Sequence, residues 1–94
     1  MHVTVSVPGV LRQHAGGRAH VGVEVPEAST LAVLFDQMAT ELPALERRMR
    51  DETGTLRRHV NVFVDAVDVR DSDGLATPLA AGTDVLVVPA VSGG

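Results

Sequence analysis

The chain has 94 residues, 45% of them apolar, and its twelve acidic and eight basic side chains leave a net charge of −4. That length allows one domain around one modest core. The acidic balance and the 2% of aromatics exclude nucleic-acid binding by a basic patch or by base stacking, and the absence of cysteine excludes disulfides, thiolate ligands and a thiol nucleophile.

His2 to Val7 alternate polar and apolar, with Val3, Val5 and Val7 on one side, which predicts a half-buried strand. Pro8-Gly9 breaks it, Val10 and Leu11 follow as packing candidates, and His14 to Arg18 read as a loop. His20 to Val25 alternate again, so the two strands form a hairpin with a long connection. Ser29 and Thr30 are candidate helix caps. Leu31, Leu34, Phe35, Met38, Leu42 and Leu45 then follow at helical spacing. Pro43 divides that stripe into a main helix over 30–42 and a short helical turn over 43–50. Arg47, Arg48 and Arg50, interspersed with Glu46, Asp51 and Glu52, read as a solvated face.

Val60 to Val64 form a third strand, Val67 to Val69 a short fourth, and Val85 to Val88 the last. Asp71-Ser72-Asp73-Gly74 is a turn cluster, Leu75 to Leu79 an irregular or 3₁₀ stretch, and Ala81 to Asp84 a further turn. The order β-β-α-β-β-β predicts an α+β fold, one mixed sheet with a single main helix across one face. If Val3, Val5, Val21, Val23, Val60, Val62, Val85 and Val87 face that helix, strand parity sends Phe63, Leu86 and Val88 to the opposite face. Apolar residues gathered on an open sheet face mark an interaction surface.

Beyond the last strand the chain runs Pro89-Ala90-Val91-Ser92-Gly93-Gly94. Glycine lacks a Cβ, so a Gly-Gly tip fits a channel too narrow for other residues, and its only reactive group is the α-carboxylate. The expected organisation is one domain over 1–94 with a flexible tail over 89–94. No apolar run is long enough to span a membrane and no signal segment opens the chain, so the expected compartment is the cytoplasm.

Other constellations carry less. His2, His14, His20 and His59 lack metal spacing, although His2 and His20 face each other as candidates across the paired strands. Asp65, Asp68, Asp71 and Asp73 lack the terminal bidentate Glu of a calcium loop. His14 beside Gly16-Gly17 lacks the Gly-Lys-Ser/Thr ending of a phosphate loop.

Val60-Asn61-Val62-Phe63-Val64, Asp68-Val69-Arg70, Gly74-Leu75, Leu79 to Val85 and the terminal Pro-Ala-Val-Ser-Gly-Gly together resemble the ubiquitin-like sulfur carriers of the MoaD/ThiS group. Val3 to Gly17 and Gly74 to Thr77 are similar to its actinobacterial CysO branch. Members carry Gly-Asp before the last strand, whereas here Thr83 separates Gly82 from Asp84. The resemblance implies a β-grasp fold and a carrier that is not itself an enzyme. It implies that Gly94 is adenylated with ATP on an E1-like adenylating enzyme and converted to a thiocarboxylate, with Gly93, Ser92 and Val91 threading the partner's active site. It also implies that Phe63, Leu86 and Val88 dock that enzyme with Arg70, and Arg58, flanking them. In the CysO branch the sulfur goes to a pyridoxal-phosphate cysteine synthase, and a zinc metallopeptidase releases the cysteine formed. The implied cofactors, ATP, pyridoxal phosphate and zinc, belong to the partners, and none is expected on this chain. A molybdopterin-synthase small subunit, a sulfur donor in specialised-metabolite assembly, a protein modifier and a non-catalytic interaction module remain open alternatives.

Overall fold

The computed structural model of the chain describes residues 1–89. Five strands, β1 (His2–Ser6), β2 (His20–Glu24), β3 (Val60–Val64), β4 (Val67–Asp68) and β5 (Asp84–Pro89), form one sheet in the order β2-β1-β5-β3-β4. β1 and β5 run parallel and the other neighbours antiparallel. α1 (Leu31–Glu41) lies across one face and α2 (Pro43–Arg47) follows it directly. This is the mixed sheet with one main helix that the element order predicts.

The valine alternation explains the layering. Val3, Val5, Val21, Val23, Val60, Val62, Val85 and Val87 are all buried on the helix side, against Leu31, Leu34, Phe35 and Met38 of α1. Leu45 and Met49 close the core beneath α2. The hairpin connection is more ordered than a loop. It carries a 3₁₀ segment over Gly9–Ala15 that buries Leu11 and Ala15 and leaves Val10 outside.

Several local expectations change. α1 is not capped by a hydroxyl: Ser29 Oγ donates to the Pro26 carbonyl instead, and the Leu31 N–H donates to the Thr77 carbonyl at 2.9 Å. The 74–79 stretch therefore closes the helix start, satisfying one of its orphan donors. The fourth strand stops at Asp68, because Val69 turns inward as the start of a 3₁₀ segment and is fully buried. Thr83, the residue inserted before the last strand, is buried. Its hydroxyl accepts the Ala80 N–H at 3.1 Å, and Gly82 supplies the φ of 81° that the turn requires.

Arg50 also departs from the expected solvated face. It is buried, donates to Glu46 Oε1 and to Asp36 Oδ1 at 2.9 Å, and its guanidinium lies 5.6 Å from the centre of the Phe35 ring. Paired carboxylates on both sides and an aromatic face make that burial tolerable. Desolvation pulls its pKa down, but the hydrogen bonds and charges of Glu46 and Asp36 outweigh this and hold it above the usual arginine value.

Candidate functional site

β5 is the central strand, paired with β1 on one side and β3 on the other. The last described residues therefore belong to the most interior strand. Pro89, where the tail was expected to begin, is still the last residue of β5 and is the Cα partner of Val60. Val91, Ser92, Gly93 and Gly94 lie outside the described residues.

The face away from α1 carries the predicted apolar group. Leu86 is the direct cross-strand partner of Phe63 on β3 and of Ser6 on β1. Val88 stands opposite Asn61. Leu86 is exposed, and Phe63 and Val88 are half-buried. Ser6, Phe63, Ala66, Asp84 and Leu86 line a shallow cavity of about 400 Å³. Phe63 and Leu86 thus share one depression, and Val88, two residues further along β5 on the same face, lies outside its lining.

Arg70 borders this face at the Val88 end. Its backbone N–H is fixed by Asp68 Oδ1 at 2.9 Å. Its guanidinium donates to Asn61 Oδ1 and to the Arg57 carbonyl, both at 2.8 Å, and to the Arg58 carbonyl at 3.4 Å. All three acceptors are neutral, so the charge is positioned without being neutralised. Arg58 is exposed beside it.

The histidines expected to approach each other do not. His2 pairs with Glu24, its Nδ1 2.8 Å from Oε1, whereas His20 faces Ser6 at the other end of β1. The His2 ring lies across Gly22, where a Cβ would overlap it. Among the described residues no three His, Asp or Glu side chains gather to hold a metal ion. No helix among them is long and apolar enough to cross a membrane.

A second concavity, of about 440 Å³, was not legible in the sequence. His14, Arg47, Arg48, Arg57 and His59 converge on it with Ala44. The adjacent Arg47-Arg48 pair is its one linear signal; the other three side chains arrive from the 3₁₀ segment and from the loop before β3.

The profile of the ThiS family matches residues 5–94. The sulfur carrier protein CysO of Mycobacterium tuberculosis is 40% identical over 96 residues, spanning all of both chains. Its crystal structure superimposes with a TM-score of 0.80 over 95% of this chain and 99% of that one. A chain in the crystal structure of the Amycolatopsis orientalis BexX/CysO complex is 37% identical, with a TM-score of 0.82 over 98% of this chain and 99% of that one. The small archaeal modifier protein 1 of Haloferax volcanii is 33% identical over 84 residues, covering 89% of this chain and 91% of the relative. Its crystal structure gives a TM-score of 0.85 over the whole of both chains. The fold is thus the ubiquitin-like β-grasp, and with its family pattern running from Val5 to Gly94 the chain belongs to the ThiS family.

Proposed function

We propose that this protein is a cytoplasmic sulfur carrier whose C-terminal Gly94 is converted to a thiocarboxylate that feeds cysteine formation. The observation that carries this reading is full-length similarity to a CysO sulfur carrier at 40% identity. A free carboxylate is a poor electrophile because its leaving group would be oxide. On an E1-like enzyme, a Gly94 carboxylate oxygen attacks the α-phosphorus of ATP and pyrophosphate leaves. A sulfur nucleophile then adds to the acyl carbon and AMP departs with the electron pair, leaving C–S in place of C–O. The thiocarboxylate is a soft nucleophile, suited to attack an aminoacrylate on a pyridoxal-phosphate cysteine synthase. An acyl shift leaves cysteine amide-linked to Gly94 for release by a zinc metallopeptidase. The chain supplies a carrier terminus and no catalytic side chain, and it contains no thiol to trap the activated acyl group internally.

In this reading Gly93, Ser92 and Val91 thread the partner active site, while Phe63, Leu86, Val88 and Arg70 form the grip. Phe63 and Leu86 support it by sharing one depression, Phe63 from β3 and Leu86 from its cross-strand partner β5, which leads toward the C-terminus. A second reading, attachment to target proteins as a modifier, is favoured by the similarity to the archaeal modifier.

The test is intact-mass analysis after incubation with the adenylating enzyme of the same genome, ATP and a sulfide source. The expected result is exchange of one oxygen for sulfur at the terminus, followed by a cysteine-sized adduct when the synthase is added. Deleting Gly94 abolishes loading and leaves the circular dichroism unchanged, because the described core ends at Val87. An unchanged mass with an enzyme that loads another carrier overturns the proposal. Adducts on target lysines without free thiocarboxylate favour the modifier.

A further inference from the structure

The basic concavity stands at the end of the sheet where β5 finishes at Pro89. β1 and β5 are parallel, so both leave the sheet at the same end. β1 leads there into the 3₁₀ segment that carries His14. β3 begins there: Val60 is the Cα partner of Pro89, and His59 precedes Val60 in the chain. α2 brings Arg47 against the same corner, and Arg48 follows it.

The cavity is unusual for this chain. Three guanidinium and two imidazole groups line about 440 Å³ with no acidic residue among them. Among the described residues, ion pairs are made by Arg50, His2 and the N-terminus, and none uses Arg47, Arg48 or Arg57. Arg57 is held in the cavity wall by a 2.9 Å hydrogen bond from its Nε to the Arg47 carbonyl, and Asp51, whose carboxyl feels the Arg57 charge, is not among the residues lining this cavity. Without these three arginines, the chain has five basic against twelve acidic side chains. On a chain with that acidic excess, this cavity gathers three of the eight arginines near the end of β5, although Arg47 also borders a neighbouring concavity with Asp36, Glu46, Asp51 and Glu52.

We propose that the cavity formed by His14, Arg47, Arg48, Arg57 and His59 binds acidic side chains of the enzyme that takes the tail. This contact orients the carrier so that the tail end arrives first. The identity of that enzyme rests on the carrier reading; the binding chemistry does not. Arg supplies planar, permanently charged donors that match carboxylates. Opposed charges at an interface raise association rates by ten-fold or more at low salt and lose that advantage as salt screens them.

The test uses the full chain, the double variant Arg47→Gln/Arg48→Gln, and Ala80→Glu/Ala81→Glu as a control. The control makes the same change in net charge at the opposite end of the sheet, before β5. All four side chains are exposed, and thermal melts verify that both variants fold. A hexaglutamate peptide is titrated while the His14 and His59 ring protons are followed by NMR. The expected result is saturable, salt-sensitive binding to the wild type and the control, and its loss in Arg47→Gln/Arg48→Gln. In loading assays with the adenylating enzyme, that variant is expected to lose about ten-fold in kcat/KM at low salt. Its kcat is retained and its salt dependence flattened. Peptide binding that is absent, or equal in all three proteins, overturns the proposal, as does unchanged kcat/KM with the wild-type salt slope. Saturable binding of inorganic phosphate or ATP alone in place of the peptide also overturns it, in favour of a small-anion site. If the wild type binds the peptide but gains no sulfur, the carrier reading fails and the acidic-partner surface stands.

Discussion

Leu86 offers a quantitative test of the outer sheet face. It is 43% exposed, and its cross-strand partner on β3 is Phe63. Full burial of a leucine is worth about 1.5–3 kcal/mol, so covering the exposed part on docking contributes roughly 0.6–1.3 kcal/mol. Leu86→Ala should therefore raise KM for loading by about three- to nine-fold, with kcat unchanged, because the contact is uniform through the reaction. Leu86→Asp should cost far more, since it places an unpaired carboxylate in the contact; a loss above about 100-fold in kcat/KM is expected. The fold should survive both changes. The outer-face pair with Phe63 is worth about 0.2–1 kcal/mol, while Val85 and Val87 keep β5 in the core. The assay is initial-rate loading by intact mass at varied carrier concentration, with thermal melts as the control. Wild-type KM in both variants would refute the assignment of this face. A fall in kcat with unchanged KM would place Leu86 in the chemical step and refute the grip.

Two further predictions concern the body. Arg50→Ala removes a charge-assisted hydrogen bond to the largely buried Glu46 and a cation–π contact to Phe35, and it should destabilise the fold by about 2–4 kcal/mol. A double-mutant cycle with Glu46→Gln should give a coupling of about 1–2 kcal/mol by denaturant melts, and strict additivity would show that the pair does not interact. Asp51 accepts from the Thr53 hydroxyl and from the Thr53 and Thr55 N–H groups, and these bonds hold its pKa below the ordinary 3.8. A depressed folded-state pKa means stability present above the unfolded value and lost as pH falls through the folded one, so Asp51→Asn should flatten the acid limb of a thermal-midpoint profile below about pH 3.8. An unchanged limb would assign the acid sensitivity elsewhere.

The fold was legible because its strands use one rule throughout. Alternate valines on four strands can be buried only if those strands share a sheet face, and the α1 stripe supplies the layer that covers them. Arg50 was misread because its burial depends on Asp36, fourteen residues earlier, and on a ring that sequence spacing does not place beneath it. The α1 cap was missed because the acceptor is a backbone carbonyl at Thr77, and every residue type carries one. The basic cavity has the same origin: His14, Arg47 and Arg57 belong to three segments with no shared period, and they meet only once the sheet fixes which ends coincide.

β5 shows why recognition and folding can vary separately in such a protein. Val85 and Val87 point into the core, while Leu86 and Val88 of the same six-residue strand point away from α1. Period-two geometry therefore divides one segment between two duties. Substitution at Val85 or Val87 opens a cavity beneath α1 and weakens the body. Substitution at Leu86 or Val88 alters the surface next to the exiting chain with little effect on the core. Because β5 is paired with β1 as far as Leu86 and with β3 up to Pro89, the end of the strand is fixed with respect to the outer depression and the basic corner. A partner that reads either surface thereby also fixes where the tail begins.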